Sequence, residues 1–316
     1  MRTHLLNVPT PKFSSTIHSR SGIEVVTCVV ETEEGLTGLG FTYTVGTGGS
    51  AIKAIIDDYV AKVLIGSKPE ETATAWERMW RTTHGVGRGG VTTHAIAAVD
   101  IALWDLKGRE ADKPLYELLG GIRKPIPLYA TDGGWLHCTE AELVKNALKV
   151  ASKRYVGFKI KVGKKEAKED VDRIKAVIDA AGDKISVMVD VNQGFGLSEA
   201  TKRGKLYQDL GVGWYEEPLV ADDFQGYGRL ARDLSMPIAV GENIFTKYEF
   251  ERYMQAGACD LIQPDVCRLG GITEWMQVAE MAHVNGLEVS PHIIMELHGS
   301  LAASIPNATY VEDLPG

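Results

Sequence analysis

Short apolar runs alternate with longer amphipathic stretches through the second part of the chain, from about residue 125. The amphipathic stretches, such as 165–181 and 198–210, carry apolar residues at helical spacing, whereas the runs between them have the length of strands. Strands that alternate with helices of this length favour a parallel sheet. The predicted strands cover 127–130, 157–162, 185–190, 213–217, 237–241, 259–263 and 288–290, and 308–311 could add an eighth.

Residues 1–122 do not follow this alternation. The stretches 25–31 and 36–43 alternate between apolar and polar residues like two antiparallel strands, and Glu34-Gly35 between them suits a turn. Helical patterns follow near 52–64, 72–81 and 93–109. We therefore expect two domains, an α+β domain over residues 1–122 and a strand–helix domain over residues 123–316.

Three acids, Asp190, Glu216 and Glu242, each end an apolar run, and successive acids are 26 residues apart. A strand–helix–strand unit takes about that many residues, so the acids fall at the carboxyl ends of consecutive parallel strands. In a (β/α) barrel those ends form the active-site face. Three converging carboxylates predict a hard-cation site, with Mg²⁺ as the first choice. Asn192 shares the side of Asp190, and Glu217 would support the site or form an ion pair.

A doubly wound parallel sheet is the structural alternative. It gives no reason for acids at the ends of so many successive strands. The glycine fingerprint G-x-G-x-x-G that such sheets usually carry after the first strand is also missing from this sequence. The barrel is therefore the preferred prediction.

Two lysines, Lys159 and Lys161, end the second predicted strand of the barrel. Strand alternation puts both side chains on one side, and two inward lysines are costly unless they face opposite charge. We expect their mutual repulsion and a nearby metal to lower the pKa of at least one of them toward a value useful for a base. A basic edge exposed at the surface is the alternative reading of this pair.

Asp265 follows the sixth predicted strand and His292 follows the seventh. Neighbouring strands can bring the two side chains together, and an aspartate that accepts from the imidazole fixes its tautomer and raises its basicity. Glu312 ends the eighth predicted strand, where it could hydrogen-bond a substrate. These positions predict a second group for acid–base chemistry on the same face as the metal.

Several of these short motifs together resemble those of a known enzyme family. The resemblance is to the enolase superfamily, and more narrowly to its mandelate racemase subgroup, and it covers nearly the whole chain, including residues 98–105. It implies a (β/α)7β modified TIM barrel with an N-terminal α+β capping domain, and Mg²⁺ held by the three acids. The motifs are Lys159-Ile160-Lys161, Asp190-Val191-Asn192, Glu216-Glu217-Pro218, Gly241-Glu242-Asn243, Gln263-Pro264-Asp265 and Pro291-His292.

The resemblance also implies the reaction, in which the proton α to a substrate carboxylate is abstracted to give an enediolate on the metal. Lys161 would be the base on one face, and His292 paired with Asp265 would act on the other. Lys159 would stabilise the enediolate charge, and Glu312 would hydrogen-bond the substrate carboxylate. Family members usually continue past the eighth strand, whereas this sequence stops at Pro315-Gly316, so we expect the C-terminal part of the cap to be missing or shortened.

The subgroup with these motifs is dominated by acid-sugar dehydratases. We therefore expect a carbon–oxygen lyase (a hydro-lyase) that eliminates the β-hydroxyl of an aldarate or aldonate to give a 2-keto-3-deoxy acid. Residues 133–137 look similar to the corresponding loop of galactarate/talarate dehydratases. A racemase or epimerase of a 2-hydroxy acid, mandelate-like or a sugar acid, is the alternative, because bases on two faces also permit inversion. A non-catalytic relative that binds small acids is the third hypothesis.

The candidate substrate-binding residues are Lys12, Trp135, His137 and Asn192. The segment 12–18 is polar and carries a cation, where an aromatic substrate would require an apolar wall. Lys12, or Arg88 from a glycine-rich loop, could pair with a distal carboxylate, which favours a six-carbon aldarate. Ordinary solvated surface is the alternative for both cations.

Composition limits the partners. The formal net charge of −8 argues weakly against a nucleic acid or an anionic membrane, and no uncharged apolar run reaches the length of a membrane span. The four cysteines are far apart and contain no C-x-x-C pair, and the first residues lack the apolar core of a signal peptide. We expect a cytoplasmic homo-oligomer that acts on a small-molecule carboxylate.

Overall fold

A three-stranded antiparallel sheet with helices on it occupies the first part of the molecule. The computed structural model describes residues 1–68 and 71–314, so Pro315-Gly316 lie outside the described residues. The sheet has the order β1-β2-β3. Its elements are β1 (Arg2–Ser14), β2 (Ser19–Glu31), β3 (Thr37–Thr44), α1 (Gly49–Ile55), a π-helical turn (Ile56–Val60), α2 (Ala61–Leu64), α3 (Thr72–Thr83), α4 (Val91–Ala111) and α5 (Leu115–Leu118).

The strand β1 was not predicted. It is an edge strand whose residues are mostly exposed, so it lacks the apolar–polar alternation of a half-buried strand. Pro9 also lies within it, and the register with β2 shifts between Pro9 and Phe13. The helix predicted over 52–64 is interrupted by the π-helical turn.

The sheet packs closely against the long helix α4, which is buried on nearly all sides from Thr92 to Leu103. Gly38 and Gly40 of β3 make this approach possible. A β-carbon on Gly40 would lie 2.0 Å from the carbonyl oxygen of Ala98, inside any van der Waals contact. The apolar residues of β2, such as Val26 and Cys28, bury against the same helix.

Eight parallel strands form the second sheet, and seven helices connect them. The sheet order follows the chain from β4 to β10, and β11 lies beside β4. An isolated parallel bridge between Val289 and Ala308 joins the remaining edges, so the sheet curls into a barrel. The elements are β4 (Leu128–Ala130), α6 (Glu140–Ser152), β5 (Gly157–Lys161), α7 (Ala167–Ala181), β6 (Ser186–Asp190), α8 (Leu197–Asp209), β7 (Tyr215–Glu216), α9 (Phe224–Asp233), β8 (Ile238–Val240), α10 (Lys247–Gln255), β9 (Leu261–Ile262), α11 (Ile272–Val284), β10 (Glu288–Val289), α12 (Met295–Ala303) and β11 (Val311–Asp313).

The (β/α)7β architecture with an N-terminal α+β region is therefore confirmed, and every predicted barrel strand has a counterpart, most of them shorter. The apolar floor of the barrel is a small cluster around Tyr129, Met188 and Trp214, separate from the main core between strands and helices. The rings of Tyr129 and Trp214 meet edge to face at 5.0 Å. None of the helices in the described ranges combines the length and hydropathy of a membrane span.

Gly40→Ala should destabilise the protein by about 1–3 kcal/mol or more, because the added methyl group meets the backbone of α4 and the sheet must move. Chemical denaturation of both proteins measures the difference. Gly85→Ala is the control, since a β-carbon there has nothing within 4 Å. Equal stability of Gly40→Ala and the wild type would contradict the close packing of β3 on α4.

Candidate active site

The three acids predicted as metal ligands lie together at the carboxyl end of the barrel. Asp190 ends β6, Glu216 ends β7, and Glu242 follows β8, so neighbouring strands deliver them to one place. One carboxylate oxygen of each lies within 4.8 Å of the others. All three side chains are buried. Buried carboxylate oxygens at this spacing are the ligands that a hard divalent cation such as Mg²⁺ takes.

The surroundings of the acids fit a bound cation and a polar ligand. The side-chain oxygen of Asn192 is buried and has no hydrogen-bond partner among the described residues, while the Asn192 N–H donates to Asp190 at 2.7 Å. Asn192 and Gln193 have φ of 46° and 64°, and Glu217 has φ of 40°. Such left-handed backbone costs energy in residues other than glycine and clusters at functional sites. Glu216 Oε2 accepts from Trp214 and Gln263, which fixes its orientation.

Both predicted lysines point into the same space. Lys159 Nζ lies 2.5 Å from Glu216 and 3.0 Å from Glu312, and Lys161 Nζ pairs with Asp190. Burial opposes the charge of each lysine, but the carboxylates outweigh it, and the pKa of both lies above its ordinary value. These directions describe the protein groups alone, in which the carboxylates outweigh both burial and the repulsion between the two lysines. The expected lowering of a lysine pKa also depends on a nearby metal, and it stays a prediction.

The acids share these charges unequally. Burial, together with Asp190 and Glu312, raises the pKa of Glu216 to about 8 against the opposing effect of Lys159. Burial also opposes ionisation of Glu312, but Lys159 and His292 outweigh it and lower its pKa to about 2. Glu312 accepts from Thr131 Oγ1 through Oε1. Glu312 is therefore an acceptor near neutral pH.

His292 and Asp265 form the predicted pair. Nδ1 of His292 lies 2.8 Å from Asp265 Oδ2, and Nε2 lies 3.3 Å from Glu242 Oε2. Burial opposes the charge of Asp265, but His292 and Arg268 hold its pKa below the ordinary value. Because Asp265 accepts at the Nδ1 side, Nε2 is the nitrogen that faces the acids.

Sequence reasoning missed the residues behind these groups. Arg268 donates to the main-chain oxygen of Glu242 at 2.9 Å, and Tyr43 from β3 donates to Asp265 Oδ2 at 2.5 Å. The spacing of Arg268 from Asp265, one helical turn, is a local signal that could have found it. No local signal marks Tyr43, because the sequence does not show which residue of the first 122 reaches the barrel.

The predicted substrate-binding residues lie in three places: on β1, on the loop after β4 and beside Asp190. Lys12 is exposed on β1, and Asn192 is buried beside Asp190. Trp135 packs against Phe13, with ring centroids 5.9 Å apart, and His137 Nδ1 lies 2.7 Å from Ser14 Oγ. These contacts tie the loop after β4 to the first strand of the cap region.

The loop between β1 and β2 also reaches the barrel. Thr16 Oγ1 donates to the main-chain oxygens of Val191 and Asn192, at 2.5 and 2.9 Å. Burial lowers the pKa of His18, and the charges that also act on it include Glu242 and Lys161. Within segment 12–18, Thr16 therefore contacts the backbone that directly follows Asp190.

Two family models match this sequence. One is described as the mandelate racemase/muconate lactonizing enzyme N-terminal domain and covers residues 2–120, and the other, described as enolase C-terminal domain-like, covers residues 142–316. The chain belongs to the mandelate racemase/muconate lactonizing enzyme family of the enolase superfamily. The resemblance and the prediction of an enzyme of this superfamily are thereby confirmed.

Relatives of this family member are dehydratases and cycloisomerases. It is 38% identical over 99% of its length to a 3,6-anhydro-α-L-galactonate cycloisomerase from Streptomyces coelicolor, of which it covers 87%. It is 34% identical over 92% of its length to an L-talarate/galactarate dehydratase from Salmonella typhimurium, of which it covers 73%.

Solved structures with magnesium share the fold of this family member. A racemase from Streptomyces coelicolor A3(2) with bound magnesium superposes with a TM-score of 0.96 at 37% identity, over 99% of this chain and 88% of that one. A variant L-talarate/galactarate dehydratase with Mg and L-glucarate superposes with a TM-score of 0.93 at 32% identity, over 99% of this chain and 80% of that one. The expected cofactor, Mg²⁺, agrees with these structures and with the acids found here.

Glu242→Gln should weaken Mg²⁺ binding by about tenfold or more, because loss of even the partners behind metal ligands costs about 10–100-fold. The amide keeps the shape of the side chain and removes its charge. Calorimetric titration with Mg²⁺ measures the affinity, and the Mg²⁺-dependent rise in melting temperature gives a second reading. Asp183→Asn, at an exposed acid before β6, is the control and should bind as the wild type does. Unchanged affinity in Glu242→Gln would remove this acid from the site.

Proposed function

We propose that this protein is a Mg²⁺-dependent acid-sugar dehydratase that converts an aldarate or aldonate to a 2-keto-3-deoxy acid. One observation carries the proposal. Two groups able to move protons, Lys161 and the His292–Asp265 pair, flank the same acids, Lys161 at Asp190 and His292 at Glu242. A substrate carboxylate bound between them would have a base on either side of its α-carbon.

Lys161 is the proposed base for the α-proton. Its amine would take the proton, and the electron pair of the C–H bond would move toward the carboxylate of the substrate. When bound, Mg²⁺ would supply positive charge that stabilises negative charge on that carboxylate and favours the neutral form of a neighbouring lysine. Lys159, which is fully buried and contacts Glu216, would add a second fixed positive charge.

His292 is the proposed acid for the leaving group. Its Nε2 would give a proton to the β-oxygen as the C–O bond breaks, so the hydroxyl departs as water. Asp265 accepts from Nδ1 and would stabilise the charged imidazole. The enol that remains becomes the 2-keto-3-deoxy acid by tautomerisation. Glu312, as an acceptor, would hydrogen-bond a donor of the substrate or a protonated form of its carboxylate.

We propose a polar substrate with a second recognition group away from the reacting carboxylate. Asn192 lies beside Asp190, and Trp135 and His137 lie on the loop after β4, where polar and aromatic groups would orient a hydroxylated chain. Lys12 and Arg88 remain candidates for pairing with a distal carboxylate, which would favour a six-carbon aldarate. The named activity of the L-talarate/galactarate dehydratase supports this class.

A cycloisomerase is the second candidate, and the 38% identity over 99% of the chain favours it. The same two proton transfers would serve it. If the β-oxygen belongs to an ether ring, its departure opens the ring, and no water is lost. The nature of the β-substituent would therefore decide between the two reactions.

The homo-oligomeric state and the cytoplasmic location of the protein stay predictions.

Incubation with Mg²⁺ and a panel of acid sugars in D₂O, followed by proton NMR, tests the proposal. We expect loss of the α-proton signal and a 2-keto-3-deoxy product from at least one mono- or diacid. Ring opening of an anhydro acid without water loss would establish the cycloisomerase instead. Exchange or inversion at the α-carbon alone would favour a racemase or epimerase. No reaction with any acid would overturn the proposal.

Lys161→Ala should abolish proton exchange at one face of the α-carbon, because the amine that takes the proton is gone. The acids that bind Mg²⁺ remain, so Mg²⁺ titration should still show binding. Deuterium incorporation into the two α-epimers of a substrate measures the loss. Lys175→Ala, an exposed lysine on α7, is the control. Full turnover by Lys161→Ala would exclude this role.

A further inference from the structure

We propose that Tyr43, a residue of β3 outside the barrel, is a positioning residue that holds the His292–Asp265 pair in its working orientation. Arg268 donates a hydrogen bond to the Tyr43 hydroxyl and so orients it toward Asp265. This inference rests on the proposed function for its effect on turnover. Its structural content stands on the contacts of the tyrosine hydroxyl, which lies among buried charged groups.

The contacts form a directed series. Arg268 Nε donates to the Tyr43 hydroxyl at 3.1 Å, and that hydroxyl donates to Asp265 Oδ2 at 2.5 Å. The same Oδ2 accepts from His292 Nδ1 at 2.8 Å. Oδ2 therefore receives two donors, one from a barrel loop and one from the cap region.

The direction of each hydrogen bond is set by chemistry. A guanidinium has no acceptor, so Arg268 must donate, and the hydroxyl of Tyr43 must use its own proton toward Asp265. The other oxygen, Asp265 Oδ1, accepts from the Cys267 N–H at 2.8 Å. Donors thus fix both oxygens of the Asp265 carboxylate, and this orientation keeps Oδ2 facing His292 Nδ1.

Burial makes this arrangement hard to rearrange. Tyr43 is 5% exposed and Asp265 is fully buried, so water cannot easily replace a lost partner. A buried polar group left without its partner costs stability, and the group tends to move to find another. Removing the tyrosine hydroxyl would take one of the two donors from Asp265 Oδ2 and take from the Arg268 Nε–H its hydrogen-bond acceptor. Arg268 Nε lies 3.7 Å from the same Oδ2, so the carboxylate and the guanidinium would be drawn toward each other.

The neighbouring residues of β3 fasten the tyrosine to the barrel. Thr42 Oγ1 donates to the Cys267 carbonyl at 2.8 Å, and Cys267 Sγ lies 3.6 Å from the Phe41 carbonyl. These contacts dock β3 on the loop 265–268. Of Phe41, Thr42 and Tyr43, it is Tyr43 whose side chain contacts the Asp265 carboxylate. Thr42 therefore offers a matched control that disturbs the docking without touching the pair.

The test compares Tyr43→Phe with Thr42→Val in the Mg²⁺-loaded protein. The first readout needs no substrate: the imidazole Nδ1–H signal of His292 in proton NMR, assigned by its loss in His292→Asn. In Tyr43→Phe we expect that signal to shift and to exchange faster with water, because Asp265 Oδ2 has lost one of its two donors and holds the imidazole less firmly. Thr42→Val should keep the wild-type signal.

The second readout is deuterium exchange of galactarate and L-talarate, which differ in configuration at one α-carbon. For one of these two acids we expect Tyr43→Phe to lower kcat with little change in KM. Exchange of the α-proton that Lys161 removes should stay as in the wild type. A wild-type Nδ1–H signal in Tyr43→Phe, or the same change in Thr42→Val, would overturn the inference. A changed signal in a protein that acts on neither acid would instead sustain the inference and count against the proposed substrate.

Discussion

Charge balance at the carboxyl end of the barrel constrains the rest of the structure. Lys159 and Glu216 are almost fully buried there, and an isolated buried charge is far too costly to keep. Both lysines, together with Asp190, Glu216 and Glu312, therefore have an opposite charge within contact distance, and these contacts link four different strands. Burial raises the pKa of Glu216, and the neighbouring carboxylates Asp190 and Glu312 add to the effect. Carboxylates outnumber the lysines here, so a divalent cation fits the excess of negative charge.

The backbone around these charges is shaped to present them. The strands that carry the acids are short, and the chain turns sharply after them through left-handed residues such as Asn192, Glu217 and Ile293. Such conformations persist only where the surrounding packing determines them. Here Val191 and Leu219, next to the turns, belong to the main core, and Ile293 packs against it. A site on rigid strands whose turns are fixed by packing keeps its side chains in one arrangement.

The sequence was sufficient for the barrel because its signal is local and repeated. Asp190, Glu216 and Glu242 each end an apolar run, and topology alone brings such ends together. The strand β1 escaped prediction because an exposed edge with prolines lacks alternation. The carboxylates that contact Lys159 and Lys161 could not be assigned from the sequence, because it shows which charges are near each other along a strand, whereas only the fold shows which acids of other strands lie beside them. The contact from Tyr43 joins residues 222 positions apart, beyond the reach of any local pattern.

The position of β11 beside β4 has a consequence for biosynthesis. Glu312 meets Thr131 across 181 positions, so on the ribosome the first barrel strand must wait for a late-emerging neighbour. Until then the nascent barrel has an open edge, and Lys159 lacks one of its counter-charges. Pairing over such a separation is slow and leaves unfinished edges exposed to other chains. A nascent chain that stalls before Glu312 would therefore keep an open sheet edge that can pair with another chain, even though the three acids of the predicted metal site have already been made.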